Sequence, residues 1–141
     1  MSYKIKKFDL WSAELEDHPG SVTEKLKVLA DAGANLEFVL ARRTPENPGK
    51  GVLYVAPISG KKIVSAAESA YFIRTSDLTA VRIEGPNKAG LGHRVTEAVS
   101  QAGVNLRGLS ASVLGGKFVF ILAFDNTSDA ERSLKALKRV R

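Results

Sequence analysis

The sequence predicts an α+β fold built twice from one small unit, with antiparallel strands and two helices per copy. Three observations carry the prediction. A loop-and-helix motif recurs seventy positions on, the apolar spacing alternates between strand and helix periods in the same order in both halves, and glycines mark the changes. Asp17-His18-Pro19-Gly20 enters a helix that closes with Ala32-Gly33-Ala34-Asn35-Leu36. Asn87-Lys88-Ala89-Gly90 enters one that closes with Ala102-Gly103-Val104-Asn105-Leu106, so helix length and both turns are preserved.

In the first copy Trp11, Ala13 and Leu15 alternate with Ser12, Glu14 and Glu16, the period of a half-buried strand. Val22, Leu26, Leu29 and Ala30 form one helical stripe, and Gly33 is placed to close that helix in a left-handed conformation. Leu36, Phe38 and Leu40 predict a second strand and Val52 to Ala56 a third, separated by the turn Thr44-Pro45-Glu46-Asn47-Pro48-Gly49. Ile63, Ala67, Ala70 and Tyr71 carry a second helical stripe, followed by a short run Phe72-Ile73-Arg74 and a linker Thr75-Ser76-Asp77.

The second copy repeats the series. Val81 and Ile83 predict a strand, Leu91, Val95, Ala98, Val99 and Ala102 a helix, and Leu109, Ala111 and Val113 an alternating strand. Phe118 to Phe124 is a continuous apolar strand, and Ala130, Leu134 and Leu137 stripe the last helix. The hairpin Leu114-Gly115-Gly116-Lys117 is shorter than its Pro-rich counterpart, so the offset falls to 67 beyond it, pairing Lys50 with Lys117 and Ala56 with Ala123. No fourth strand follows the last helix. The run from Tyr3 to Leu10 is long enough to supply one, to a neighbouring copy or to another chain.

Composition narrows the functional classes. A chain of 141 residues, 44% of them hydrophobic, can bury one substantial core or two small adjacent ones. No apolar run approaches the roughly 18–20 residues of a membrane span, and the N-terminus lacks the apolar segment of a secretion signal, so a cytoplasmic, membrane-free protein is expected. There is no cysteine, which excludes disulfides and thiolate chemistry. The net charge of +6 is spread over Lys4, Lys6, Lys7, Arg42, Arg43, Lys61, Lys62 and the tail, and reads as solvated surface rather than as a nucleic-acid patch.

The element order, with Asp17-His18-Pro19-Gly20 opening the first helix and Gly33-Ala34-Asn35-Leu36 leaving it, resembles an ACT domain. Glu84-Gly85-Pro86-Asn87-Lys88-Ala89-Gly90-Leu91 through Asn105-Leu106 resembles a second. The resemblance implies two tandem ferredoxin-like βαββαβ units, residues 1–74 and 75–141, each an antiparallel sheet with helices packed on one face. It further implies a regulatory protein that binds an amino acid or similar small anion at a domain or dimer interface and transmits occupancy to a partner enzyme or transporter. A homodimer is expected. The family's ligand loop falls on Asp17, His18, Pro19, Gly20 and Ser21, and on Asn87, Lys88, Ala89, Gly90 and Leu91; the asparagine after the helix falls on Asn35 and Asn105. Ala89 replaces the proline of the first loop, so the two loops are unlike.

Physical chemistry supports such loops independently. Unpaired N–H groups at a helix N-terminus favour a carboxylate, glycine lets a ligand approach the backbone, and asparagine offers donor and acceptor together. Asp17 can pair with an ammonium. The structural readings are a helix cap for Asp17, a turn for Gly20, and satisfied backbone for Asn35 and Asn105. For catalysis the sequence offers His18, His93, Ser21, Ser110 and Ser112 with no base-and-orienter pattern and no metal-ligand spacing; no catalytic residue, metal or cofactor is assigned, and a non-enzyme is expected. Two other readings stand beside the sensor. One is an RNA-binding module using Lys117-Phe118-Val119-Phe120, which resembles part of an RNP1 strand; the other is a dimerisation module without a ligand.

Overall fold

The computed structural model describes residues 3–140, the side chains of Ser76 and Asp77 excepted. Its elements are β1 (Lys4–Glu16), α1 (Ser21–Asp31), β2 (Phe38–Arg43), β3 (Lys50–Ala56), α2 (Lys61–Ser69), β4 (Ile73–Pro86), α3 (Leu91–Gln101), β5 (Gly108–Leu114), β6 (Lys117–Phe124) and α4 (Thr127–Leu137). They group into two compact units: an N-terminal unit, Asp9–Thr75, and a C-terminal unit that joins Ser76–Arg141 with Met1–Phe8. Among the described residues no helix is long and apolar enough to cross a membrane.

In the N-terminal unit the strand order is β2-β3-β1-β4. Antiparallel pairing sets Trp11 opposite Val55 and Ala13 opposite Leu53. The residues that alternate in sequence therefore share one face, where Trp11, Ala13, Leu15, Leu53 and Val55 meet Leu29 of α1, Ala67 of α2, and Phe72. At the strand ends, Arg74 pairs with Asp9 at 2.6 Å and Thr75 donates its hydroxyl to the Leu10 carbonyl at 2.8 Å.

The C-terminal unit is ordered β5-β6-β4-β1, its β1 strand being the segment Lys4–Phe8. Phe118, Phe120, Leu122 and Phe124 lie on one face of β6 because strand side chains alternate. Ile83 lies opposite Phe120 and Val81 opposite Leu122. This face is covered by Leu91, Val95 and Val99 of α3 and by Ala130 and Leu137 of α4. Tyr3 and Ile5 pack against the same cluster, with the Tyr3 and Phe118 rings edge to face at 5.6 Å. The run from Tyr3 thus stands beside β4 as the fourth strand of this unit's sheet.

Lys7 of this borrowed strand donates a hydrogen bond to Glu131 of α4. That bond, followed by the lysine's charge, holds the Glu131 carboxyl below its ordinary value of 4.5. A carboxyl lowered in the folded state stabilises it above the unfolded value, and the contribution is lost as pH falls through the folded one. Glu131→Gln is therefore expected to flatten the acid limb of melting temperature against pH below about 4.5. Parallel curves for the two proteins would refute the assignment.

Three expectations are corrected. Tyr71 is not on the helical stripe: α2 ends at Ser69, Tyr71 has φ 66°, and its side chain is 81% exposed. The expected linker Thr75-Ser76-Asp77 is continuous strand within β4. Leu36 precedes β2, which begins at Phe38.

Candidate functional site

Each candidate loop is closed by the same backbone bond. The Asp17 N–H donates to the Gly49 carbonyl at 3.0 Å, and the Asn87 N–H to the Gly116 carbonyl at 2.9 Å. The glycines of the two hairpins are thus equivalent acceptors despite the unlike turn lengths. At the other ends of β3 and β6, away from the loops, the Glu37 N–H reaches the Ala56 carbonyl at 2.8 Å and the Arg107 N–H the Ala123 carbonyl at 2.9 Å, again repeat equivalents.

Gly20 and Gly90 are the N-cap residues of α1 and α3, with φ of 92° and 80°. Such values are left-handed, where an L side chain costs roughly 1–2 kcal/mol. A Cβ at Gly20 would meet nothing within 4 Å, and one at Gly90 only Arg94 Nη1 at 3.4 Å. Backbone conformation, not crowding, is what requires glycine here. Neither helix has a side-chain cap, whereas in α4 Asn126 Oδ1 accepts from the Asp129 N–H at 2.8 Å. A glycine start leaves first-turn N–H groups of α1 and α3 for solvent or a ligand.

The remaining candidates fall as follows. Asp17 caps nothing; its Oδ2 accepts from Arg43 Nε at 2.8 Å, so its charge is already matched by a guanidinium. His18 lies with Nδ1 at 3.0 Å from the Pro19 carbonyl and 3.3 Å from Ser21 Oγ. Ser21 is buried and donates its hydroxyl to the Glu16 carbonyl, which ties the loop to β1. Beside it, a hydrogen bond from Lys50 and then that lysine's charge hold the Glu16 carboxyl low. Pro19, Asn35, Asn87, Lys88, Ala89 and Asn105 are exposed, while Leu91 is buried in the core of its unit.

A hollow of about 240 Å³ adjoins the second loop, lined by Lys4, Glu84, Gly85, Pro86, Gly116 and Lys117. Glu84, Gly85 and Pro86 lead into the loop, Gly116 and Lys117 come from the facing hairpin, and Lys4 from β1. Sequence reasoning did not single out these residues or Arg43 as site residues, because strand pairing rather than local spacing brings them to the loops. The aromatics of the RNA-binding reading are core: Phe118, Phe120 and Phe124 are 1%, 8% and 0% exposed, and cannot stack bases. Among the described residues no group of His, Asp or Glu is placed to hold a metal ion.

Fold and loops together define a class of small α+β modules that open two helices on left-handed glycines. Residues 79–141 match the family model of the ACT domain. No curated protein matches the sequence. Among solved structures the chain is similar to protein BT0572 from Bacteroides thetaiotaomicron, at 22% identity and TM-score 0.75, over 93% of this chain and 88% of that one. It is similar as well to the regulatory subunit of aspartate kinase from Thermus thermophilus in its ligand-free form, at 17% identity and TM-score 0.66, over 98% and 95% of the two chains. The corresponding subunit from Thermus flavus gives 17% identity and TM-score 0.63, over 97% and 95%. At such identities the likeness is one of fold.

Proposed function

We propose that the chain is a small-molecule-binding regulatory protein with one ACT domain in each unit. Its ligand is an amino acid, held with its carboxylate on the first-turn N–H groups behind Gly20 or Gly90. The observation that carries this reading is the duplicate loop: a left-handed glycine, an uncapped helix start and one hairpin bond, built twice from unlike sequences. The match of residues 79–141 to the ACT domain model supports it, and so does the fold shared with regulatory subunits.

The loops are open to solvent, and a second chain closes them in this reading. Self-association has a physical basis in the outer strands. Val39 and Leu40 of β2, and Leu109, Val113 and Leu114 of β5, are 41–82% exposed on strands with a free edge. Occupancy of the loops biases the assembled arrangement and is read by a separate enzyme. The chain itself is not a catalyst.

Thermal unfolding against the twenty amino acids at millimolar concentration tests the proposal. A ligand at a hundred times its Kd adds roughly 2.7 kcal/mol, several degrees for a domain of this size. One or two chemically related amino acids are expected to shift the melting temperature, and Gly20→Leu with Gly90→Leu to abolish the shift at a cost of roughly 1–2 kcal/mol per site. Silence with every amino acid would leave a pairing module instead. A shift that survives both replacements would place the ligand elsewhere.

A further inference from the structure

We propose that the groove between α3 and α4 of the C-terminal unit is a separate anion site, suited to a small ligand carrying a chain of phosphates. The groove encloses about 620 Å³ and is lined by Arg94, Arg132, Lys135 and Arg139, with Glu97 as its carboxylate. Its floor is made of Ala98, Ala102 and Ala136, whose small side chains keep the two helices from filling the space between them. Arg132 and Lys135 stand about one turn apart on α4, and Arg94 faces the groove from α3. A single carboxylate answers one such charge. A phosphate chain answers several, and guanidinium forks match its oxygens bidentately.

Asp129 answers Arg132, and the other cations of the groove outnumber its one carboxylate, Glu97. Arg94 stands in the first turn of α3, which carries no acidic residue, where the helix dipole opposes a positive charge. Its Nη1 donates to the Ala89 carbonyl at 3.3 Å, while its Nε is buried without a partner. Arg132 is held by Asp129 at 2.6 Å and by the Ala102 carbonyl at 3.1 Å, a clamp that fixes its guanidinium beside the groove. Glu97 is taken up by His93 at 3.5 Å and by Gln101 at 3.4 Å. Glu131, whose carboxyl also feels the charge of Lys135, is bonded to Lys7.

The repeat shows that the fold does not require this charge. At the positions matching Arg94, Arg132, Lys135 and Arg139 the first copy carries Glu24, Ser65, Glu68 and Phe72. One copy presents carboxylates where the other presents cations. No aromatic side chain lines the groove, which argues for a phosphate chain rather than a stacked single strand of nucleic acid.

Calorimetric titration of the full chain with sodium tripolyphosphate at about 50 mM salt is the test, with sulfate at equal ionic strength as control. The expected result is saturable one-to-one binding that Lys135→Gln with Arg139→Gln weakens about tenfold or more. Both side chains are exposed, so the double variant should keep its melting temperature. Any shift caused by an amino acid should survive unchanged in it, which separates this site from the loops. ATP binding as tightly as tripolyphosphate would assign a nucleotide's phosphate tail, and ATP binding more weakly would assign a free polyphosphate; both uphold the site. Heat no greater than that of sulfate, or equal affinity in the double variant, would overturn it. So would a single-stranded oligonucleotide that saturates the groove when tripolyphosphate does not.

Discussion

Removal of residues 1–8 is expected to unfold the C-terminal unit while leaving the core of the N-terminal unit intact. Tyr3 and Ile5 pack on the cluster of Ile83, Phe118 and Phe120, and each apolar side chain of that size contributes roughly 1.5–3 kcal/mol when buried. Loss of the strand also uncovers β4 along a full edge, so the total is put at about 4 kcal/mol or more, a large share of a small domain's stability. Backbone amide spectra of the shortened chain are the measurement. Resonances of residues 79–140 should collapse toward random-coil positions, and those of residues 9–75 should stay dispersed. Dispersion preserved in both would mean that the segment decorates the unit rather than completing it.

Phe118→Ala is the second large effect, expected to cost about 3–5 kcal/mol, as for a large buried aromatic replaced by a methyl. Phe118 is 1% exposed and lies 5.6 Å from the Tyr3 ring and 5.1 Å from the Phe120 ring, both edge to face. Combining it with Tyr3→Ala should cost less than the sum of the two, because each replacement removes part of the other's environment. Denaturant unfolding of the two single variants and the double variant measures this. Strict additivity would show that the borrowed strand and β6 do not share a core.

Much of this architecture was legible in the chain because duplication exposes it. Gly20 with Gly90 and Gly33 with Gly103 marked both helix boundaries, and all four take positive φ in the structure. Of the stripe Leu91, Val95, Ala98, Val99 and Ala102, the structure buries Leu91, Val95 and Val99 fully and Ala98 and Ala102 in part. Tyr71 was misplaced because periodicity cannot tell the last residue of a stripe from the first residue beyond it. The chain turns there, and Lys25 both donates to the Ala70 carbonyl and lies over the Tyr71 ring at 5.4 Å. Leu109 and Val113 alternate as strand residues do, yet they are 48% and 56% exposed. Alternation identifies a strand without saying that its apolar face is covered.

The site was less legible than the fold. The loop glycines were found from their spacing, but the partner of Asp17 was not, since Arg43 comes from β2 and no local pattern links the two. The groove between α3 and α4 escaped because its cations look scattered when counted along the chain. Comparing the copies position by position was the signal available: Glu24 against Arg94 and Glu68 against Lys135 reverse in sign.

The borrowed strand carries a consequence for the order in which the chain matures on the ribosome. Lys4–Phe8 is made well before β4 and β6, which complete its unit and are finished only when residue 124 has emerged. A segment with that wait presents an unsatisfied strand edge to every other nascent or misfolded chain nearby. Its composition answers the hazard: Lys4, Lys6 and Lys7 crowd charge around Ile5 and Phe8, which discourages premature pairing with a like segment. The same lysines that the sequence reads as ordinary surface, one of them bonded to Glu131 once the unit is folded, are expected to act as gatekeepers while it is being built.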